Sequence, residues 1–148
     1  MTNSSGGTIT HSDPDVIRQI LTAARTVAIV GLSPRSDRPS HQVAAYLQLH
    51  GYRVIPVNPS IDAVLGERCF PNLYAIGERV DLVDVFRHPT DCPAIAKQAV
   101  AAGARALWLQ VGVISLEAAR IATEAGMAVV MDRCTKIEHE RMGDVVRD

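Results

Sequence analysis

Apolar and polar positions along this chain switch repeatedly between a helical period and short unbroken apolar runs. Asp13-Pro14-Asp15 supplies a capping carboxylate, a proline at the first helical position and an acid in the first turn. Val16, Ile17, Ile20, Leu21 and Ala24 then recur at helical spacing and predict an amphipathic helix. At Thr26 the period is lost, and Val27-Ala28-Ile29-Val30 ending at Gly31 has the pattern of a strand buried on both faces. Leu32 to Pro39 reads as a loop and Ser40 to Leu47 as a helix, with Val43, Tyr46, Leu47 and His50 on one face and Gly51 as its stop. Tyr52 to Val57 reads as a second strand, in which Pro56, having no N–H, must lie near the end.

Three further apolar runs follow, Asp81 to Phe86, Ala106 to Gln110 and Met127 to Met131. Helical stretches Pro93 to Ala102 and Leu116 to Ala125 separate them, each stopped by a glycine, Gly103 or Gly126. This alternation predicts an α/β fold, Rossmann-like and doubly wound, with a mainly parallel sheet of five or six strands and helices on both faces. Ile61 to Gly77 is less regular and reads as a short edge strand within Gly66 to Phe70, then a turn or helix at Asn72 to Ile76. Thr135 to Met142 reads as a final short helix. The polar stretch Met1 to Ser12 buries too little to order itself, so the expected organisation is a mobile tail over 1–12, one domain over 13–142 and a C-terminal tail over 143–148.

A length of 148 residues suits one core, and a net charge of -1 lacks the surplus of Lys and Arg that a nucleic-acid binder carries. No run reaches the roughly 18 apolar residues of a membrane span, and the first dozen residues have no apolar secretory core, so the expectation is a cytoplasmic protein that binds neither membrane nor nucleic acid. Cys69, Cys92 and Cys134 are odd in number and without a CxxC pair, which predicts free thiols.

In a parallel sheet, ligands bind beyond the carboxyl ends of the strands where the strand order reverses. Of the loops this selects, Gly31 to Ser40 is the most informative. Gly31 allows close approach of the backbone, and the helix opened by Ser40 aims free N–H groups and a positive dipole end at an anion. Ser33, Ser36 and Ser40 add hydroxyls, and Arg35 and Arg38 add guanidiniums, a set suited to phosphate oxygens. Gly31-Leu32-Ser33-Pro34-Arg35-Ser36 lacks the later glycines of GxGxxG, and Asn58-Pro59 stands where an NAD-binding acid would end the second strand. It also lacks the GK[ST] ending of a P-loop. A solvated loop with an ordinary helix cap fits these residues equally well.

Gly31 to Ser40, Gly51 to Pro59, Val83-Asp84-Val85-Phe86-Arg87, Trp108 to Val113 and Met131-Asp132-Arg133-Cys134 resemble, in this order, the motifs of the CoA-binding domain family. That family is similar to the N-terminal CoA-binding domain of the succinyl-CoA synthetase α subunit, and the likeness runs from about Pro14 to Met142. It implies a Rossmann-like domain holding coenzyme A, or an acyl-CoA, with the nucleotide end against Gly31, Ser33, Pro34, Arg35, Arg38, Ser40, Asn58 and Pro59. The larger ligase also uses a domain with a phosphorylated histidine and a partner subunit that binds a nucleoside triphosphate. The expectation here is therefore a CoA binder without ligase activity of its own. An NAD(P)-dependent or acyl-CoA-handling enzyme, and a regulatory subunit that senses CoA for a protein partner, stand as alternatives.

Arg87 follows a strand and is a candidate for a ligand phosphate, against the plainer reading of a loop in which Thr90 or Asp91 caps the next helix. Trp108 reads as core, with Gln110 nearer the crevice rim. His88, Asp91, Cys92, Cys134 and His139 are ligand types near strand ends, but their spacing matches no recognised metal site and none is expected. Catalytic residues are unassigned, and a five-residue separation of Cys134 and His139 does not guarantee the contact of a nucleophile and base. Position alone places Cys134 near the crevice, as a candidate for a mixed disulfide with CoA.

Overall fold

The computed structural model describes residues 13–143; the tail expected over 1–12, and all but Gly143 of the tail expected over 143–148, lie outside the described residues. The chain runs α1 (Pro14–Ala23), β1 (Thr26–Val30), α2 (Pro39–Leu49), β2 (Arg53–Val57), a hairpin of β3 (Ala63–Val64) and β4 (Glu67–Arg68), then β5 (Leu82–Val85), α3 (Cys92–Ala101), β6 (Ala106–Leu109), α4 (Leu116–Glu124), β7 (Ala128–Val130) and α5 (Thr135–Arg141). Asp13 caps α1 by accepting from the Asp15 amide, with Pro14 at the first helical position.

The main sheet has five strands in the order β2-β1-β5-β6-β7, all pairings parallel. Both faces of the strands are covered, which is why their sequences are unbroken apolar runs. Ala28, Val30, Val83, Val85, Leu107 and Leu109 face α3 and α4. Val27, Ile29, Leu82 and Trp108 face α1 and α2. Small residues on the covering helices, Ala96 and Ala99 of α3 and Ala118, Ala119 and Ala122 of α4, are wholly buried and let these two helices approach closely. Trp108 is core as expected, fully buried, and its Nε1 donates to the Arg133 carbonyl at 2.9 Å.

Pro56 belongs to an edge strand, where a missing donor is tolerated. The irregular stretch between β2 and β5 holds a two-stranded antiparallel hairpin and a 3-10 turn over Leu73–Ile76 capped by Asn72. Phe70, not the hairpin, joins the main sheet, through a parallel bridge to Val57. None of the helices among the described residues is long and apolar enough to cross a membrane.

Candidate functional site

The strand order reverses between β1 and β5, and the crevice opens at the carboxyl ends of those two strands. Gly31 follows β1 with φ +89, and a Cβ placed on it would lie 2.6 Å from the Phe86 carbonyl oxygen. The glycine expected to admit a ligand is thus required first by the chain itself, because the β1 and β5 exits nearly touch.

The loop beyond Gly31 folds back on the start of α2. Pro39 stands at the first helical position and Arg38 at the cap, with no side-chain capping bond. Ser40 therefore does not open the helix as the sequence suggested. It lies one residue inside, buried, and its Oγ accepts from the Ser33 amide at 3.0 Å. Ser33 Oγ in turn accepts from the Arg35 amide at 3.1 Å. His41 Nδ1 sits 3.0 Å from the Ser33 carbonyl; a carbonyl only accepts, so that nitrogen carries the proton. Asn58 braces the same loop from below, its Nδ2 donating to the Leu32 carbonyl at 2.9 Å and its Oδ1 accepting from the Ser60 amide at 2.8 Å. Its side chain is thus a support for the loop.

Gly31, Ser33, Arg38 and Ser40 converge on one recess of about 330 Å³, completed by Pro39 and Phe86. Gly31 also borders a second recess of about 300 Å³, into which Pro59 and Arg87 project together with Pro71, Asn72, Thr90 and Gln98. The floor of this second recess is apolar, formed by Val30, Val57 and Ile95. Pro34 and Arg35 border neither recess: Pro34 is exposed, and Arg35 pairs with Asp37 at 2.9 Å across a solvated surface. Phe86 and Gln98, like Pro71, are among the additions that the sequence did not single out as site residues. Phe86 stood at the end of an expected strand and was accessible to the reasoning that chose Arg87. Gln98 sits mid-helix and gives no such signal; its Oε1 accepts from the Leu73 amide at 3.0 Å, which leaves its N–H₂ group for other partners.

The arginines differ in commitment. Arg87 donates to Asp91 Oδ2 through Nε (3.2 Å) and Nη2 (3.0 Å). Asp91, which could have capped α3, makes no capping bond and serves that pair instead. Arg38 has no ion-pair partner among the described residues. One guanidinium is therefore unspent where Ser40, Ser33 and the N-terminal end of an 11-residue helix meet.

Behind Phe86, on the same face of β5, Asp84 is fully buried. Its two oxygens accept from Gln110 Nε2 (2.5 Å) and Thr135 Oγ1 (2.8 Å), both uncharged groups. Burial raises its carboxyl to about 7, against the pull of those two hydrogen bonds. Gln110, expected near the crevice rim, is instead buried in this cluster. Among the thiols, burial lifts Cys92 to about 11 and also raises Cys69, while Cys134 is half-buried at the cap of α5. No group of three or more His, Cys, Asp or Glu side chains is arranged to hold a metal among the described residues.

Comparison with known proteins bears on the fold and the family. The uncharacterized protein YneT of Bacillus subtilis is 40% identical over 123 residues, 83% of this chain and 91% of that protein. A solved structure described as a hypothetical protein from Pyrococcus horikoshii OT3 superposes with a TM-score of 0.86 at 38% identity, covering 95% of this chain and 98% of the other. A shorter match, 30% identical over 60 residues, reaches an ADP-forming acetate–CoA ligase II of Archaeoglobus fulgidus, 39% of this chain but 9% of the ligase. The CoA-binding domain pattern itself matches residues 25–140, from the entry to β1 through nearly all of α5, and by that match the chain belongs to the CoA-binding domain family.

Proposed function

We propose that the chain binds coenzyme A, free or as an acyl thioester, across the β1 and β5 ends of the sheet. The phosphate groups lie in the recess of Ser33, Arg38 and Ser40, and the adenine in the apolar-floored recess between Pro59, Pro71 and α3. The observation that carries this reading is the convergence of an unpaired Arg38, the Ser40 hydroxyl and the start of α2 on one side of Gly31. A helix N-terminus with a guanidinium and hydroxyl donors matches a polyphosphate. NAD is the poorer occupant: β2 is followed by Asn58, whose side-chain amide is engaged with the Leu32 carbonyl, and no carboxylate is offered there to a ribose. On this reading the chain binds and presents the cofactor but makes no acyl-CoA from an acid, CoA and ATP.

Thermal unfolding with and without ligand tests it. CoA at about 100 times its Kd adds roughly 2.7 kcal/mol, a rise in Tm of roughly 5 to 10 °C for a chain this size, whereas NAD at the same concentration gives little. Arg38→Ala lowers the CoA shift without changing the Tm of the free protein. Equal shifts from NAD and CoA, or a full CoA shift in Arg38→Ala, would overturn the assignment.

A further inference from the structure

The carboxyl edge of the sheet changes character along its length. At β1 and β5 it is polar and cationic, carrying Ser33, Arg38, Ser40 and Arg87. Past β6 it becomes apolar: Val111, Ile114 and Leu116 are 65%, 53% and 68% exposed within six residues. Single exposed apolar residues are ordinary on any surface, but several together on the carboxyl edge of a parallel sheet stand on the side where ligands bind.

This apolar turn is held firmly in place. The Val113 amide donates to the Gln110 carbonyl at 2.8 Å, and Ser115 Oγ caps α4 by accepting from the Ala118 amide at 3.1 Å. Val113 itself packs onto the core beneath. From the next loop, Asp132 Oδ1 accepts from the Gly112 amide at 2.7 Å, and Asp132 does so from a left-handed backbone, φ 59, that a non-glycine residue adopts only at a cost.

We propose that the Val111 to Leu116 turn seats the acyl group of a coenzyme A thioester bearing an uncharged, apolar acyl chain. This deepens the function proposed above and rests on it. The edge and the ligand are divided in the same way. An acyl-CoA carries its phosphates at one end and its thioester at the other, joined by a long uncharged arm, and the edge places its cations and its apolar turn in that order. β1 and β6 are two strand spacings apart, about 10 Å, a gap the extended arm bridges. Residues Val111 to Leu116 carry no ionisable side chain, so the exposed side chains of the turn suit a hydrocarbon chain better than one ending in a carboxylate.

Titration calorimetry on the full chain with CoA and its acetyl, butanoyl, hexanoyl and succinyl thioesters tests the seat. Full burial of a methylene is worth about fourfold in affinity, so a half-covered chain on this open turn gains about twofold per methylene. Hexanoyl-CoA then binds on the order of tenfold tighter than acetyl-CoA, and succinyl-CoA no tighter than free CoA. Replacing Ile114 and Leu116 together by serine abolishes the chain-length dependence and leaves free CoA binding as it was. If CoA binds but affinity ignores chain length, or the dependence survives the double replacement, the seat is wrong and the crevice reading stands. Failure of CoA and every thioester to bind overturns both. Self-association lost on the double replacement, with no chain-length dependence, assigns the turn to a second copy of the chain and likewise overturns the seat.

Discussion

Asp84→Asn is the substitution whose effect can be worked most directly from the structure. Asp84 is buried in the central strand with two neutral hydrogen-bond donors, and its carboxyl is displaced from 3.8 to about 7. A group whose folded value lies above its unfolded value binds more protons in the folded state between the two. Its contribution is therefore fully present below about pH 4 and is lost as pH rises through about 7. The displacement corresponds to about 4 kcal/mol in all, of which roughly 2 to 3 kcal/mol falls between pH 5 and pH 8. Asparagine keeps the shape and cannot ionise. Gln110 and Thr135 can both turn to pair with an amide, since each side chain contains donor and acceptor atoms. Urea unfolding at pH 5 and pH 8 measures the difference. The natural protein loses about 1 M in its urea midpoint over that interval beyond any loss in the variant, taking a slope near 2 kcal/mol per molar. At pH 8 the variant is the more stable of the two. Parallel pH profiles for the two proteins would refute the account, because they would mean that Asp84 is ionised in both the folded and the unfolded chain at pH 5.

Gly31→Ala destabilises the protein by at least about 2 kcal/mol in the absence of any ligand, since its new Cβ meets the Phe86 carbonyl at 2.6 Å and its φ is +89; a variant as stable as the natural protein in urea would contradict this. Asp91→Asn releases Arg87 from a half-exposed pair worth about 0.2 to 1 kcal/mol and so tightens CoA by up to about fivefold, read by calorimetry; unchanged affinity would mean that Arg87 does not reach the ligand. With oxidised CoA, the Cys134 thiolate displaces one CoA thiolate and leaves a mixed disulfide visible by intact mass. Cys134→Ser abolishes the adduct, because Cys69 and Cys92 are buried and held in the thiol form; an adduct on either of those would overturn the placement.

Much of the fold was legible because its signals are local. The Asp13-Pro14-Asp15 start of α1 and the unbroken apolar run of β1 each declare themselves within a few residues, and the alternation of such units fixes a parallel sheet. Of the hairpin, β4 falls within the short strand expected over Gly66 to Phe70, but β3 was not legible, since a two-residue strand has no period to detect. In the site, Gly31, Ser33, Arg38 and Ser40 were identified from one loop and meet in one recess. Their roles were harder to read. Ser40 was expected to cap and instead bonds the Ser33 amide, and Asn58 supports the loop from the neighbouring strand. Asp84 gave no sign of its importance, because its partners Gln110 and Thr135 lie 26 and 51 residues away and are brought to it only by the stacking order of β5, β6 and α5.

The β2 border of the sheet has a consequence for how copies of this protein can associate. Pro56 presents no N–H, its carbonyl accepts from Phe70 at 3.0 Å, and the Asn58 amide donates back to the Phe70 carbonyl at 2.9 Å. The outward-facing ladder is thereby occupied by the chain's own later segment where an incoming strand would dock. Growth of the sheet from this side, whether into a continuous two-copy sheet or into an amyloid-like stack, first requires Phe70 to be peeled away. An assembly that leaves this border closed must therefore join through the opposite, β7 edge or through side chains on helices and loops, and a dimer that retains native Phe70 protection in amide hydrogen exchange would have formed in one of those ways.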